Sequence, residues 1–414
     1  MAVFKPFAAL RPVNEKAKSV AALPYDVMSS EEAAKMVEGN DYSFLHIDKA
    51  EIDLPKGTDL YSRQVYEKAA ANLLALEENG VMKNDEKPCF YIYRQIMCGR
   101  EQNGLVGLSS IDDYSNNIIK KHENTRADKE QDRVNHVDTC NANTGPIFLT
   151  YRPVQEVNEI IEAFKQTHSP VYDFVTDDNI QNTVWVIDEA ELNEQISLLL
   201  SDVPSFYIAD GHHRAASAVR VGKMRREQNP GYTGKEEFNF FLSVLFPCDE
   251  LAIMDYNRLI ADLNGLTEKE FLEKISPCFE IEKVGKECKK PQKRHTFGMY
   301  LSGQWYLLAA KEGTFDENDP VASLDVSILQ NNLISPVLSI DDPRTDKRID
   351  FVGGIRGMQE LERRCGEDMT VAFAMYPTSL EELMAIADAG RLMPPKSTWF
   401  EPKLLSGLFI HKLS

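Results

Sequence analysis

Apolar residues recur every three or four positions in several parts of this chain. That spacing places them on one face of a helix. Ser29 with Glu32, and Ser379 with Glu382, have the spacing of capping boxes, which begin helices. Helices are therefore predicted at 30–38, 60–79, 154–166, 190–200, 267–275, 325–334 and 379–389.

Other segments are short runs of apolar, aromatic and β-branched residues, which are typical of strands. The run at 239–247 is almost continuously apolar, as expected for a strand buried on both faces. Ser302-Gly303 separates two such runs and predicts a hairpin. Strands are predicted at 89–93, 105–111, 147–151, 184–187, 239–247, 296–300, 305–309, 371–376 and 408–411. Because helices and strands do not alternate strictly, an α+β fold is favoured over a doubly wound sheet.

The length and charge of the chain limit its organisation and its partners. A chain of 414 residues exceeds the usual size of one hydrophobic core, so we expect two domains, 1–250 and 251–414. The 46 Lys and Arg residues against 65 Asp and Glu residues give a formal net charge of −19. An acidic surface repels the phosphates of DNA and RNA, so nucleic acid is not expected as a partner. A phosphate-containing small molecule would need only a few local cations.

The cysteines and the apolar runs indicate where the protein resides. Its seven cysteines are odd in number and form no Cys-x-x-Cys pair, which predicts reduced thiols rather than disulfides or a structural zinc site. The N-terminal residues lack the apolar core of a signal peptide. No apolar run reaches the ~20 residues that span a bilayer. We therefore expect a cytoplasmic protein without a membrane partner.

The segment 206–214, Phe-Tyr-Ile-Ala-Asp-Gly-His-His-Arg, has the pattern of a strand, a sharp turn and the start of a helix. Gly211 permits the turn and the close approach of a ligand to the backbone. The first turn of a helix leaves backbone N–H groups unpaired at the positive end of the helix dipole. This segment therefore predicts a binding site for an anion, and above all for phosphate.

The side chains of this helix start also point to function. Basic groups at His212, His213 and Arg214 oppose the helix dipole, and a broken local rule often marks a site. Asp210 adds a carboxylate that is either a general base or a cap. Under the alternative interpretation, Asp210 only caps the helix and both histidines are surface residues. We assign no metal ligand, because side chains at adjacent helical positions diverge by about 100°.

Two further segments are rich in polar and charged residues. The segment 120–133, with His122, Glu123, Thr125 and Arg133, is a loop or a helix start, and composition allows a ligand site or a solvated surface equally. His122-Glu123 lacks the second histidine of a metalloprotease helix.

The segment 393–400, Met-Pro-Pro-Lys-Ser-Thr-Trp-Phe, places a cation and two hydroxyls after two prolines, which suits a phosphate. Its alternative interpretation is a rigid connection whose Trp399 and Phe400 fill a core. Tyr25-Asp26 and Asn257-Arg258 are weaker candidates, for contacts to a substrate. P-loop, dinucleotide-binding, kinase and nucleophile-elbow motifs are lacking, so phosphate would be handled by an uncommon fold.

Six separated motifs belong together as one pattern. They are Pro24-Tyr-Asp-Val27, His122-Glu123-x-Thr125, Asn143-x-x-Pro146-Ile147-Phe148, Asp210-Gly-His-His-Arg214, Tyr256-Asn-Arg258 and Met393-Pro-Pro-Lys-Ser-Thr-Trp-Phe400. Nearly end to end, this pattern resembles the family catalogued as domain of unknown function 1015. Its Asp-Gly-His-His-Arg turn is similar to the signature of the ParB/sulfiredoxin superfamily. The resemblance implies a ParB/sulfiredoxin-like phosphate-binding module of α+β type, embedded in a larger mixed α/β chain.

The branches of that superfamily imply different functions. Sulfiredoxins need a cysteine in the turn, where this chain has His212, and ParB proteins need a helix-turn-helix that we do not find. Free serine kinases keep a similar turn. The resemblance therefore implies transfer of a phosphoryl group from a nucleotide or pyrophosphate to the hydroxyl of a free amino acid, L-serine first. A ParB-like nucleotide-binding switch and a phosphometabolite sensor without turnover are the alternatives.

The kinase hypothesis assigns a role to each candidate residue. Asp210 or Glu123 would accept the hydroxyl proton, and His213 would act with them in catalysis. Mg²⁺ would bridge donor oxygens and be held mostly by water and phosphate. Contacts to phosphate or nucleotide are expected from Gly211, His212, Arg214, His122, Thr125, Arg133, Lys396, Ser397 and Thr398, and contacts to the substrate from Tyr25, Asp26, Asn257 and Arg258. The expected partners are the substrate and the phosphoryl donor, and a homo-oligomer is compatible with the sequence.

Overall fold

The computed structural model describes residues 2–414, which form two compact units. The first unit contains the chain up to Leu251 together with Pro402–Ser414, and the second contains Ala252–Glu401. The boundary predicted near residue 250 adjoins this division. The predicted second segment, 251–414, differs from the second unit because its last residues return to the first unit.

Backbone pairing fixes the C-terminal segment in the first unit. Leu10 and Ile410 exchange two hydrogen bonds, of 3.0 and 2.9 Å. The short strand His411–Lys412 pairs antiparallel with Ala142–Asn143. The C-terminal residues therefore complete the first unit, which sequence patterns alone did not indicate.

A nine-stranded sheet forms the centre of the first unit. The strands that precede residue 251 are β1 (Phe4–Lys5), β2 (Leu10–Pro12), β3 (Met82–Asn84), β4 (Phe90–Met97), β5 (Arg100–Ser110), β6 (Ile119–Lys120), β7 (Ala142–Asn143), β8 (Ile147–Tyr151), β9 (Tyr172–Val175), β10 (Gln181–Ile187), β11 (Phe206–Asp210) and β12 (Phe240–Pro247). The sheet has the order β6-β11-β8-β12-β5-β4-β10-β9, and β1 also pairs with β5. The pairs β6–β11 and β8–β12 are parallel, whereas the other pairs are antiparallel.

Nine α-helices accompany these strands within the described residues. They are α1 (Ala17–Val20), α2 (Ser30–Met36), α3 (Leu45–Asp48), α4 (Arg63–Glu78), α5 (Ile111–Ser115), α6 (Ala127–Cys140), α7 (Gln155–Thr167), α8 (Ala190–Ser201) and α9 (His212–Gln228). One hydrophobic core joins the sheet to α7, α8 and α9, with Ile161, Ile196 and Ala215 among its members. A second core lies around α3 and α4.

The second unit is built on a six-stranded antiparallel sheet of order β15-β17-β16-β19-β14-β18. Its strands are β13 (Ile253–Met254), β14 (Tyr256–Ile260), β15 (Phe279–Gly285), β16 (Thr296–Leu301), β17 (Gln304–Ala310), β18 (Ile349–Gly353), β19 (Val371–Ala374) and β20 (Trp399–Phe400). Its helices are α10 (Glu268–Ile275), α11 (Asp325–Leu329), α12 (Ser335–Leu338), α13 (Met358–Glu367) and α14 (Leu380–Asp388). The last strand of the chain, β21 (His411–Lys412), belongs to the first unit.

Local sequence signals account for many of these elements. The predicted capping boxes begin α2 and α14, with Ser29 and Ser379 accepting hydrogen bonds from the backbone of Glu32 and Glu382. The predicted hairpin joins β16 and β17. Each unit combines helices with a β-sheet, and this confirms the expected mixed α/β architecture. The segment 120–133, for which a loop or a helix start was expected, contains the beginning of α6.

The state of the cysteines and the composition of the helices were both predicted from the sequence. All seven cysteines are free thiols, as predicted. No helix within residues 2–414 combines the length and the apolar composition needed to cross a membrane.

Helix α9 is packed closely on more than one side. Ala215 and Ala218 belong to the core of the sheet, and Val221 packs in a separate cluster with residues of α6. Gly222 faces the carbonyl of Phe238 so closely that a Cβ atom would lie 2.4 Å from that oxygen. The position of α9, and of the turn at its start, is therefore fixed by small side chains.

Gly222→Ala should lower the thermal unfolding midpoint of the protein. The added Cβ would collide with a backbone oxygen, which cannot move as a side chain does. Overpacking of this kind costs about 1–3 kcal/mol, which exceeds the ~1 kcal/mol by which alanine favours a helix over glycine. Gly231→Ala is the control, since its Cβ would meet nothing within 4 Å. Equal midpoints for the two variants, measured by circular dichroism, would contradict this packing.

Candidate functional site

A single glycine separates β11 from α9. Strand β11 ends at Asp210 and α9 begins at His212. Gly211 has φ 90° and ψ 30°, a left-handed conformation that glycine adopts without strain. The N-cap residue makes no side-chain hydrogen bond to the first turn of α9, so the amides of that turn lack this capping partner. The predicted strand, turn and helix are confirmed, and the N-cap is Gly211 rather than Asp210.

Strand pairing brings the loop after β6 to this turn. In the parallel pair β6–β11, Phe206 lies opposite Ile119 and Tyr207 lies opposite Lys120. Parallel neighbours end at the same edge of a sheet. The residues that follow β6, with His122 among them, therefore lie near the glycine turn, which we define as 210–212.

Arg214 folds back over the glycine turn. A Cβ atom on Gly211 would lie 3.2 Å from Nε and 3.3 Å from Cζ of Arg214, and one on Gly145 would lie 3.6 Å from its Cδ. Nη1 donates a hydrogen bond of 2.5 Å to the carbonyl of Pro146. The buried Nε has no partner. The space above Gly211, which we expected a ligand to approach, is thus occupied by the guanidinium of Arg214.

Both carboxylate oxygens of Asp210 are engaged. Oδ1 accepts the N–H of Gly211 at 2.8 Å, and Oδ2 accepts Nζ of Lys403 at 3.1 Å. Burial alone would raise the pKa of Asp210, but the charges of Lys403 and Arg214 bring this pKa well below its ordinary value. Such a carboxylate is a weak proton acceptor near neutral pH. The electrostatics therefore favour a positioning role for Asp210 over the predicted general base.

Two histidines from different segments meet in the interior. His122 and His212 are 2% and 6% exposed, and their ring centroids lie 4.5 Å apart, edge to face. No side chain is hydrogen-bonded to either ring nitrogen of His122, whose ring interacts with the backbone of Ile208, and Nε2 of His212 has no partner. Burial lowers the pKa of His122 to about 4 and the pKa of His212 well below its ordinary value. Both rings are neutral at neutral pH, so His212 does not supply the positive charge that we expected at the start of this helix.

His213 and Thr125 are held by the start of α6. Nε2 of His213 accepts the N–H of Arg126 at 3.0 Å, which places the proton of the neutral ring on Nδ1. Burial lowers the pKa of His213, although the nearby carboxylate of Asp26 opposes this shift. Thr125 donates its hydroxyl to Glu130 at 2.8 Å. The hydrogen bond between Arg126 and His213 therefore joins the start of α6 to the first turn of α9.

A cavity of about 20 Å³ lies beside Arg214 and is also lined by Arg133, Tyr25 and Asp48. The guanidinium of Arg133 lies 4.1 Å from the centre of the Tyr25 ring. It is paired with Asp132 at 2.9 Å. Burial alone would lower the pKa of each arginine, but nearby carboxylates raise both pKa values above the ordinary one. The cavity holds two permanent cations and has room for about one water molecule.

A larger pocket of about 410 Å³ has Lys403 in its wall. Because Lys403 also binds Asp210, this pocket adjoins the glycine turn. Gln95 and Asn182 contribute amides to its wall and bond to each other at 3.2 Å. Its volume lies in the range of small-molecule sites. Sequence reasoning missed the pocket and Lys403, because the lining residues come from distant parts of the chain and form no local motif.

The predicted residues of β14 serve contacts within the second unit. Asn257 donates to Asp255 at 2.7 Å and accepts the N–H of Met375 at 2.9 Å. Arg258 donates to the carbonyl of Lys396 at 2.9 Å. Burial lowers the pKa of Arg258 to about 10. Their assignment as substrate contacts stays a prediction.

The side chains of the segment 393–400 likewise make contacts within the second unit. The hydroxyl of Ser397 donates to the carbonyl of Pro394 at 2.6 Å, and Thr398 is half-buried. A Cβ atom on Gly353 would lie 2.7 Å from the ring of Trp399, so this indole covers the strand. These contacts agree with the alternative interpretation of a rigid connection. The phosphate-binding role of Lys396, Ser397 and Thr398 stays a prediction.

The fold and the site define a mixed α/β protein of two units, with buried arginines and histidines around a glycine turn. The chain belongs to the family described as protein of unknown function (DUF1015), whose model matches residues 4–327. The family indicated by the six motifs is thereby confirmed. No curated protein matches the sequence.

Several solved structures show a distant likeness. A free serine kinase in complex with AMP is 15% identical, with 71% of this chain and 86% of that chain covered and a TM-score of 0.37. A conserved hypothetical protein from Pyrococcus furiosus is 14% identical, with 73% and 93% covered and a TM-score of 0.36. SbnI with a C-terminal truncation, from Staphylococcus aureus, is 11% identical, with 73% and 85% covered and a TM-score of 0.36. Likeness at this level assigns no ligand and no residue role to this chain.

His136→Phe should flatten the pH dependence of stability in weak acid. His136 is buried, Nε2 lies 3.0 Å from the carbonyl of Ile47, and burial lowers its pKa from 6.5 to about 3. Between these values the unfolded chain binds a proton that the folded chain does not, so the unfolding free energy falls as the pH falls. From pH 6.5 to pH 5 this group should account for about 2 kcal/mol of the decline.

Urea unfolding at pH 6.5 and at pH 5 measures that decline. The control is His168→Phe, because the His168 side chain is 45% exposed, and this variant should show the full decline of the parent protein. An equal decline in both variants would contradict the assignment of the effect to the buried imidazole.

Proposed function

We propose that this protein is a small-molecule phosphotransferase. It would move a phosphoryl group from a nucleotide or pyrophosphate to the hydroxyl of a free amino acid. L-serine is the first acceptor to test, because the Asp-Gly-His-His-Arg turn resembles that of free serine kinases. The observation that carries the proposal is the buried, unpartnered Nε of Arg214 beside the uncapped start of α9.

An anion at this position would satisfy several groups at once. A buried charged donor without a partner is costly. The open amides of α9 and the guanidinium of Arg214 both favour a negative charge. β11, Gly211 and α9 would then act as a ParB/sulfiredoxin-like phosphate-binding module within the larger chain.

Phosphoryl transfer depends mainly on positioning and on stabilisation of charge. Arg133 and Arg214 would supply that charge, since their pKa values are raised and they stay protonated. His212 and His213 would contribute as neutral groups.

Two carboxylates other than Asp210 would be suited to accept the proton of the acceptor hydroxyl. Asp26 is exposed, and its charge acts on both His213 and Arg214. Glu123 is 47% exposed and lies 3.9 Å from Nδ1 of His212. Unlike Asp210, whose two oxygens are held by Gly211 and Lys403, these two side chains are exposed to an incoming hydroxyl.

The 410 Å³ pocket would receive the donor or the acceptor beside Lys403. Donor phosphates would extend from it toward the glycine turn. Mg²⁺ would accompany the donor and be held by phosphate oxygens and water, as is usual for nucleotide phosphates.

Binding without turnover is a second candidate function, either as a nucleotide switch or as a phosphometabolite sensor. The low pKa of Asp210 favours it, because the carboxylate closest to the turn is then a fixed charge rather than a base. Both candidates share the anion site and differ only in whether a product is formed.

Purified protein supplied with Mg²⁺ and L-serine should form O-phosphoserine with at least one donor among ATP, ADP, CTP and pyrophosphate. Asp26→Asn or Glu123→Gln, whichever removes the base, should lower the rate about 10²–10⁴-fold. Asp188→Asn is the control, since Asp188 is 59% exposed and paired with Lys87. Mass spectrometry measures the product. Absence of product with every donor would reject the phosphotransferase and leave binding without turnover.

Arg214→Lys should weaken binding of pyrophosphate about 10- to 100-fold, because a lysine cannot reproduce the forked donors of a guanidinium. Isothermal titration calorimetry measures the affinity. Arg63→Lys is the matched control, since Arg63 is 89% exposed and pairs with Glu67 on its own helix. Unchanged affinity in a folded Arg214→Lys protein would place the anion site elsewhere.

A further inference from the structure

We propose that the first unit binds one first-row transition-metal ion through His122, Glu123 and His212. Donor atoms from these three residues, one from each, lie within 4.8 Å of one another. This site goes beyond the proposed phosphotransferase, whose Mg²⁺ is held by the donor. It does not depend on whether that activity exists.

The distances between the donor atoms of the three residues are near those between the ligand atoms of a bound ion. Imidazole nitrogens and carboxylate oxygens bind Zn²⁺ at about 2.0–2.2 Å, so two ligand atoms of one tetrahedral ion lie about 3.3–3.6 Å apart. Nδ1 of His212 and Oε2 of Glu123 are 3.9 Å apart. The set therefore needs to contract by about 1–1.5 Å, which rotations of the side chains provide.

The unpaired nitrogens of the histidine pair are an independent observation. Nε2 of His212 is buried without a hydrogen-bond partner, and no side chain is hydrogen-bonded to either buried ring nitrogen of His122, whose ring interacts with the backbone of Ile208. The two other histidines that are equally buried are paired: His136 with the carbonyl of Ile47, and His411 with Asn143 and Glu237. An unpaired buried polar group is costly. A metal ion would satisfy one nitrogen of His122, and it would satisfy His212 when it binds Nε2 rather than the Nδ1 that lies 3.9 Å from Glu123.

The chemistry of the three residues limits the choice of ion. Neutral imidazole is the form that binds metals, and burial keeps both rings neutral. Two nitrogens and one carboxylate suit Zn²⁺, Mn²⁺, Fe²⁺ or Co²⁺, whereas Mg²⁺ prefers oxygen ligands. Three protein ligands leave at least one coordination position for water or a substrate, as in catalytic metal sites.

The order of the strands explains why no metal ligand was predicted from the sequence. The adjacent His212 and His213 cannot share an ion, and in the structure His213 instead accepts a hydrogen bond from Arg126. The second imidazole comes from His122, which the parallel pairing of β6 with β11 brings to the same edge of the sheet. No local spacing in the sequence carries that information.

Metal-free, full-length protein titrated separately with Co²⁺ and Zn²⁺ should bind one ion per chain. Calorimetry gives the stoichiometry, and visible absorption of Co²⁺ reports its ligands. His122→Ala and His212→Ala should each weaken binding at least 100-fold, and Glu123→Gln about 10- to 100-fold. Two controls should keep the affinity of the parent protein: His136→Ala, which removes a paired buried histidine, and His168→Ala, which removes an exposed one.

Three results would overturn the site. They are the absence of binding, which would leave water as the occupant; binding unchanged in the His122 and His212 variants; and a cobalt–thiolate absorption band, which would assign the ion to a cysteine. If an alanine variant unfolds, Glu123→Gln decides, because its side chain is 47% exposed and the fold does not depend on its burial. No donor or acceptor is present, so failure here is distinct from failure to form phosphoserine.

Discussion

The parallel pairing of β6 with β11 is the constraint on which the candidate site depends. β6 contains only two residues, so its backbone bonds alone are too few to hold it. Ile119 and Phe206 face each other in this ladder and are both almost fully buried in the core of the sheet. A slip of one residue would turn Ile119 out of the core. Apolar packing therefore fixes which residues of the following loop meet the glycine turn.

The charges around that turn are balanced within the interior. The cations Arg133, Arg214 and Lys403 are accompanied by the carboxylates of Asp48, Asp132 and Asp210. Burial raises the pKa of Asp48, whereas cations lower that of Asp210. Protonation of a buried histidine beside these cations would be unfavourable. The site therefore presents two arginines whose charge does not change near neutral pH, together with imidazoles that bind as neutral ligands.

The parts predicted from the sequence are those encoded locally. Capping boxes, the hairpin at Ser302-Gly303 and the glycine turn depend on neighbouring residues, and they occur where they were expected. The meeting of His122 with His212 and the approach of Lys403 to Asp210 depend on strand order and on the return of the C-terminal segment. A single sequence carries no local signal for such contacts, and the neutral state of the histidines follows from burial that only the fold creates.

The proposed metal site and the proposed phosphoryl transfer both involve the carboxylate of Glu123. A carboxylate bound to a metal ion has its lone pairs engaged and is a weaker base than a hydrated one. If Glu123 holds an ion with the histidine pair, it is removed from the candidates for general base, and Asp210 is already engaged by Lys403 and Gly211. Asp26 would then be the exposed carboxylate left near Arg214. Occupation of the metal site and the identity of the base are thus linked through one side chain.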